Sequence, residues 1–148
     1  MNDRPRKPES LARVRALGAD LFVLAGYTRI LPPALIEMPP RGVVNLHGGR
    51  IPDYRGCAPI PWQILRGETT LGLTVLYADA GIDTGDVLAE ETYELAPEEG
   101  ATEAVARTLE RFPVMLVNVL RGLEAGTLQG RPQDLSAGAY YTRRHPED

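Results

Sequence analysis

Cysteine occurs once in the 148 residues, at Cys57, so no intramolecular disulfide can form and cysteine usage says nothing of the redox compartment. That thiol is expected to be small, buried or half-buried, and unreactive. Histidine is nearly as scarce: His47 and His145, with one cysteine, make a poor source for the three protein ligands that catalytic zinc usually takes, so no metal is expected. No stretch is long and apolar enough to span a bilayer, and the first ten residues, with Arg4, Arg6 and Lys7, form neither a signal nor an anchor. The default location is therefore the cytoplasm, away from membranes. Positive charge is also short, 16 Lys and Arg against 20 Asp and Glu, and a net charge of −4 argues against a broad nucleic-acid surface. Ser10 and Ser136 lie in no nucleophile elbow, and no Gly-Lys-Ser or Gly-Lys-Thr follows the glycines at 81 and 85, so neither a serine hydrolase nor a phosphate loop is supported.

What the chain does contain is one domain's worth of regular elements, expected to span residues 1–148 with residues 1–10 and 136–148 as loose tails. Residues 11–19 read as the end of a helix closed by Gly18. Leu21 to Gly26 and Gly42 to His47 are short apolar runs, the pattern of buried parallel strands. Between them Pro32 and Pro33 open a short helix, and Ala58 to Leu65 is a further helix closed by Gly67. Leu73, Val75 and Tyr77 share one face of a strand over Leu71 to Ala78, and Val87 to Leu95 pairs beside it as an antiparallel edge. Residues 101–124 carry Val105, Leu109, Leu116, Leu120 and Leu123 at helical spacing, with Pro113 expected to kink or divide the helix. The alternation gives an α/β fold with a mainly parallel open sheet and an antiparallel hairpin.

Open sheets of this kind hold ligands at the carboxyl ends of their strands, and Asn45 and His47 stand at one such end. Two apart on a strand, they face the same side while Leu46 faces the core. An imidazole moves protons, an asparagine amide donates to a developing oxyanion, and a carboxylate beside the imidazole stabilises its charged form, a role open to Asp83. This is equipment for acyl-group chemistry. Taken alone, Asn45 and His47 also fit a turn asparagine and a packed strand-end histidine, and Gly81 to Gly85 fits a tight turn.

Asn45-Leu46-His47-Gly48-Gly49, Gly56-Cys57-Ala58-Pro59-Ile60, Gly67-Glu68, Gly72-Leu73-Thr74 and Gly81-Ile82-Asp83-Thr84-Gly85-Asp86 stand in one order and spacing. Over residues 20–95 that combination resembles the formyltransferases that use 10-formyltetrahydrofolate, a family acting on methionyl-tRNA, glycinamide ribonucleotide and sugar nucleotides. The resemblance implies a formyltransferase-like, Rossmann-like fold with Asn45, His47 and Asp83 as the catalytic trio. It implies 10-formyltetrahydrofolate as formyl donor, its ring held by Leu24, Tyr27, Thr28, Arg29 and Leu31 with Ala80, Gly81 and Ile82. Gly48, Gly49, Arg50, Tyr54 and Arg55 are then the acceptor side, the two arginines suiting an anionic substrate.

Compared with that family, the βα units normally found before the segment at Leu21 are lacking, and the open sheet edge is expected to be covered by a second copy or another chain. The tail around Arg143 and Arg144 is similar to that of the sugar-nucleotide enzymes, and those guanidiniums suit phosphate. The expected acceptor is thus a small amine, most of all a nucleotide-linked amino sugar, and no nucleic acid. A formyltetrahydrofolate hydrolase and a non-catalytic folate-binding or interaction fragment are the alternatives.

Overall fold

The computed structural model describes residues 7–143. Helix α1 (Pro8–Arg15) opens on a proline, whose missing N–H would have had no helical partner, and closes where Gly18, at φ +59°, donates to the Arg15 carbonyl. Its first turn lies inside the segment expected to be loose; residues 1–6 fall outside the described residues. Strand β1 (Phe22–Ala25), helix α2 (Pro33–Ile36), strands β2 (Val43–His47) and β3 (Arg55–Gly56), and helix α3 (Pro59–Leu65) follow. Strands β4 (Thr70–Tyr77) and β5 (Val87–Glu94), the long helix α4 (Ala101–Glu124) and the short strand β6 (Tyr140–Tyr141) complete the order.

The main sheet runs β1-β2-β4-β5, and β3 pairs with β6 in a separate two-stranded ladder. The α/β class is as expected, but the main sheet is mixed: β1 and β2 are parallel, whereas β4 lies antiparallel to both β2 and β5. The cause of the difference is physical. Leu71 to Leu76 are all buried, and a continuous apolar run signals burial on both faces without fixing strand direction. Strand β1 departs from expectation too. It has one neighbour among the described residues and alternates between half-buried and exposed, with Val23 38% exposed, where a strand covered on both faces was expected.

On one face of the sheet Val44, Leu71, Leu73 and Val75 pack with Phe112, Met115 and Val119 of α4 and with Tyr93 of β5. Pro113 does not divide α4, which runs unbroken through it. Burying Phe112, Met115 and Val119 stabilises by roughly 1.5–3 kcal/mol each, together more than the roughly 3 kcal/mol that an internal proline costs. The opposite face carries Leu24, Asn45 and Leu76 in register, with His47 beside Thr74. That face bears the site. Among the described residues no helix is long and apolar enough to cross a membrane.

Candidate active site

Strand alternation puts Asn45 and His47 side by side, and the loop between β4 and β5 brings Asp83 over them. The loop holds its own shape. Asp79 accepts from the Gly81 amide at 3.0 Å and from the Thr84 hydroxyl at 2.7 Å, and Gly85 passes so near the Tyr77 carbonyl that a Cβ there would overlap it. Asp83 Oδ1 accepts from Asn45 Nδ2 at 3.1 Å, and Oδ2 accepts from the Gly56 amide at 2.9 Å and stands 3.4 Å from His47 Nδ1. With His47 5% and Asp83 11% exposed, the pair is shielded from water. His47 Nε2 lies 2.6 Å from the Tyr54 carbonyl, an atom that only accepts, so this nitrogen carries a proton and Nδ1 is the one that faces the carboxylate.

The loop from Gly48 to Gly56 is fixed from below. Gln63, with no exposed surface, donates to the carbonyls of Gly48 at 3.0 Å and Gly72 at 3.3 Å and accepts from the Gly72 amide at 2.7 Å. The Thr74 hydroxyl donates to the Gly49 carbonyl at 2.7 Å and accepts from the Ile51 amide at 3.3 Å. At Gly56, φ is +98° and a Cβ would overlap the Tyr141 carbonyl, so only glycine can bring this amide to Asp83 while pairing with β6.

The residues after Leu128 form a strap across this loop. The Arg131 and Val87 backbones exchange hydrogen bonds of 2.8 Å, the Ala139 amide donates to the Pro52 carbonyl at 3.3 Å, and the Cys57 amide donates to the Tyr141 carbonyl at 2.9 Å. The Tyr141 ring stacks on Tyr54 at 5.3 Å between centroids and meets Trp62 at 5.0 Å. The expectation of a loose tail from residue 136 is corrected as far as residue 143: strand pairing and ring stacking pin it. Arg143 is exposed, and Arg144 lies outside the described residues.

The expected acceptor-side residues are present but differently employed. The Arg50 guanidinium is committed to the carboxylates of Asp53 at 2.8 Å and Glu68 at 3.3 Å, whereas that of Arg55 is buried, donates to the neutral Ala137 carbonyl at 2.7 Å and leaves its Nε without a hydrogen-bond partner. Tyr54 turns its hydroxyl to Glu68 at 2.6 Å; burial, then that bond, pushes its pKa up, and the phenol stays protonated. Arg50, Asp53, Tyr54 and Glu68 line a cleft of about 230 Å³ against Gly138, Ala139 and Tyr141, to which Asn45, His47 and Asp83 do not contribute. Gly48 and Gly49 pack closely, a Cβ at Gly49 standing 2.8 Å from His47 Nε2.

Of the expected donor-side residues, Leu24 is half-buried beside Asn45, and Ala80, Gly81 and Ile82 are exposed on the loop that carries Asp83. Tyr27, Thr28 and Arg29 are exposed beyond the end of β1, and Leu31 is half-buried. Cys57, expected to be buried or half-buried, is exposed because it leaves β3 just before the left-handed Ala58 turns the chain into α3. Among the described residues no cluster of three or more His, Cys, Asp or Glu suits a metal ion. Sequence reasoning missed Gln63, Thr74 and Gln133, whose side-chain amide donates to the Asp83 and Gly85 carbonyls at 2.9 and 2.6 Å. The fifty-residue gap to Asp83 leaves no local signal for Gln133.

An α/β sheet with an amide, an imidazole and a carboxylate converging at a strand end is an arrangement that acyl-transfer chemistry can use. The profile of the family described as Formyl transferase matches residues 1–120, and the chain belongs to that family. A methionyl-tRNA formyltransferase from Solibacter usitatus is 43% identical over 132 residues, 89% of this chain and 42% of that protein. The chain thus spans about two-fifths of the length of the curated relatives it matches. Among solved structures, phosphoribosylglycinamide formyltransferase from Bacillus halodurans is 27% identical with a TM-score of 0.64, over 69% of this chain and 53% of that one. The formyltransferase PseJ from Anoxybacillus kamchatkensis, solved with a UDP-linked formamido sugar and tetrahydrofolate, has a TM-score of 0.74 at 24% identity, over 83% of this chain and 64% of that one, and shares the fold.

Proposed function

We propose that this chain carries the centre of a formyltransferase that moves a formyl group from 10-formyltetrahydrofolate to an amine. The observation that carries the reading is the convergence of Asn45, His47 and the Gly56 amide on the Asp83 carboxylate. The acceptor nitrogen attacks the formyl carbon, the bond from that carbon to the donor nitrogen breaks, and one proton passes from the acceptor to the departing nitrogen. One hydrogen of the Asn45 amide is held by Asp83, leaving the second for the oxyanion of the tetrahedral adduct. His47 donates to Tyr54 through Nε2 and faces Asp83 through Nδ1, contacts that hold the ring beside the Asn45 amide as the proton-moving group. Asp83 orients both partners. Leu24, the stretch from Tyr27 to Arg29, Leu31 and residues Ala80 to Ile82 make the donor's binding edge.

For the acceptor, sequence similarity near 43% to proteins named methionyl-tRNA formyltransferases favours an aminoacyl-tRNA amine. The nucleotide-linked amino sugar has support at the level of fold, from the solved sugar-nucleotide complexes. The test is tetrahydrofolate release with methionyl-tRNA, with nucleotide-linked amino sugars, and with no amine. Release with methionyl-tRNA alone is expected; release with the sugar alone gives the second reading, release without amine gives a hydrolase, and no release in any arm overturns formyl transfer. In the active arm, His47→Ala lowers turnover by roughly a hundredfold with little change in donor affinity.

A further inference from the structure

Asp83 holds a left-handed backbone, φ +54°, uncommon outside glycine though aspartate adopts it more readily than most residues. Part of its support comes from far along the chain. The two hydrogens of the Gln133 side-chain nitrogen reach the Asp83 carbonyl and the Gly85 carbonyl, fixing the loop on both sides of Thr84. The other end of the same amide, Oε1, is buried without a hydrogen-bond partner, a cost to folding that an apolar side chain would not carry. A residue that serves only to fill space has no reason to carry this polar group.

We propose that Gln133 is a positioning residue for the formyl-transfer centre, setting the place of the Asp83 carboxylate against His47 through two backbone carbonyls. This rests on the functional reading above. The strap around Gln133 is anchored without it, by the Arg131–Val87 pair, by Arg55 on the Ala137 carbonyl, by the Ala139 amide on Pro52 and by the Cys57 amide on Tyr141. Removing the Gln133 amide therefore takes one support from the loop at Asp83 and leaves the strap docked. Around the pair stand Asp83 at His47 Nδ1, the Tyr54 carbonyl at Nε2, and Cys57 and Tyr140 near Asp83; burial first, then Cys57 and Asp83, pushes the Tyr140 phenol up.

Two variants test this: Gln133→Met, which removes the amide at similar length, and Gln133→Glu, which keeps the shape but turns an acceptor toward both carbonyls. Each is read by the NMR titration of the His47 imidazole, one of only two in the chain, and by steady-state kinetics with the active amine. The His47 midpoint is expected to fall in Gln133→Met, because a displaced carboxylate favours the imidazolium less; Gln133→Glu also adds a negative charge nearby and is read by its kinetics. The kcat should drop about 10- to 100-fold, with its pH profile moving alongside the NMR midpoint and the KM for the amine within about threefold. A folded Gln133→Met with the wild-type His47 midpoint overturns the proposal, even if its kcat or melting temperature falls, and so does a Gln133→Glu enzyme that works like wild type. If one variant does not fold, the other decides. If the unmutated chain transfers no formyl group, the functional reading fails, while the His47 titration still decides whether Gln133 places Asp83.

Discussion

At the scale of single residues, the Asp83 carboxylate does three things at once: it holds the Asn45 amide, takes the Gly56 amide and faces the His47 ring. Asp83→Asn keeps the shape and removes the charge, so the imidazolium loses the partner that favours it. Turnover should fall, and the limb of the pH–rate profile that belongs to His47 should move to lower pH; an unmoved limb would make Asp83 structural. In the sequence, strand alternation places Asn45 and His47 on one face, but the glycine pair marks only a turn, and it is the family resemblance that joins Asp83 to them. The roles of Arg50, Arg55 and Tyr54 were not legible. A cation's partners are set by tertiary contacts, and Asp53, Glu68 and the Ala137 carbonyl had claimed those groups already.

At the scale of elements, α4 begins at Gly100, whose amide donates to the Glu103 carboxylate at 2.9 Å. Hydrogen bonds to backbone amides, its own and that of Gly100, hold the Glu103 pKa below its ordinary 4.5. A depressed carboxylate stabilises the folded state fully above its unfolded pKa and loses that contribution as pH falls through the folded value. The first turn of α4 should therefore loosen on acidification below about 4.5, seen as lower amide protection factors, corrected for the intrinsic pH dependence of exchange, at residues 103–105, and Glu103→Gln should show protection factors that no longer change across that window. Wild-type protection factors flat with pH would contradict the cap. Helices and strands long enough to show a period were readable in advance. The two-residue strands β3 and β6 were not, since their pairing joins positions more than eighty residues apart and neither has a period of its own. Strand direction escaped for a related reason: burial of β4 on both faces is the same whether its neighbours run with it or against it.

At the scale of the whole molecule, β1 presents an unpaired edge among the described residues, with Val23 exposed on it. Edges of this kind invite pairing with another chain, and sedimentation velocity should show a weight that rises with concentration, reduced by Val23→Lys. A constant monomer weight in both proteins would show the edge to be silent. The other large-scale feature is the division between core and strap. The buried cluster draws its side chains from residues 44–119, with Leu123 and Leu128 packed against it, and takes nothing from residues 131–142. Deleting residues 131–142 would leave that cluster whole while stripping Gln133 from the Asp83 loop and Tyr141 from Tyr54, so a screen that scores expression alone reads the cluster and not the strap.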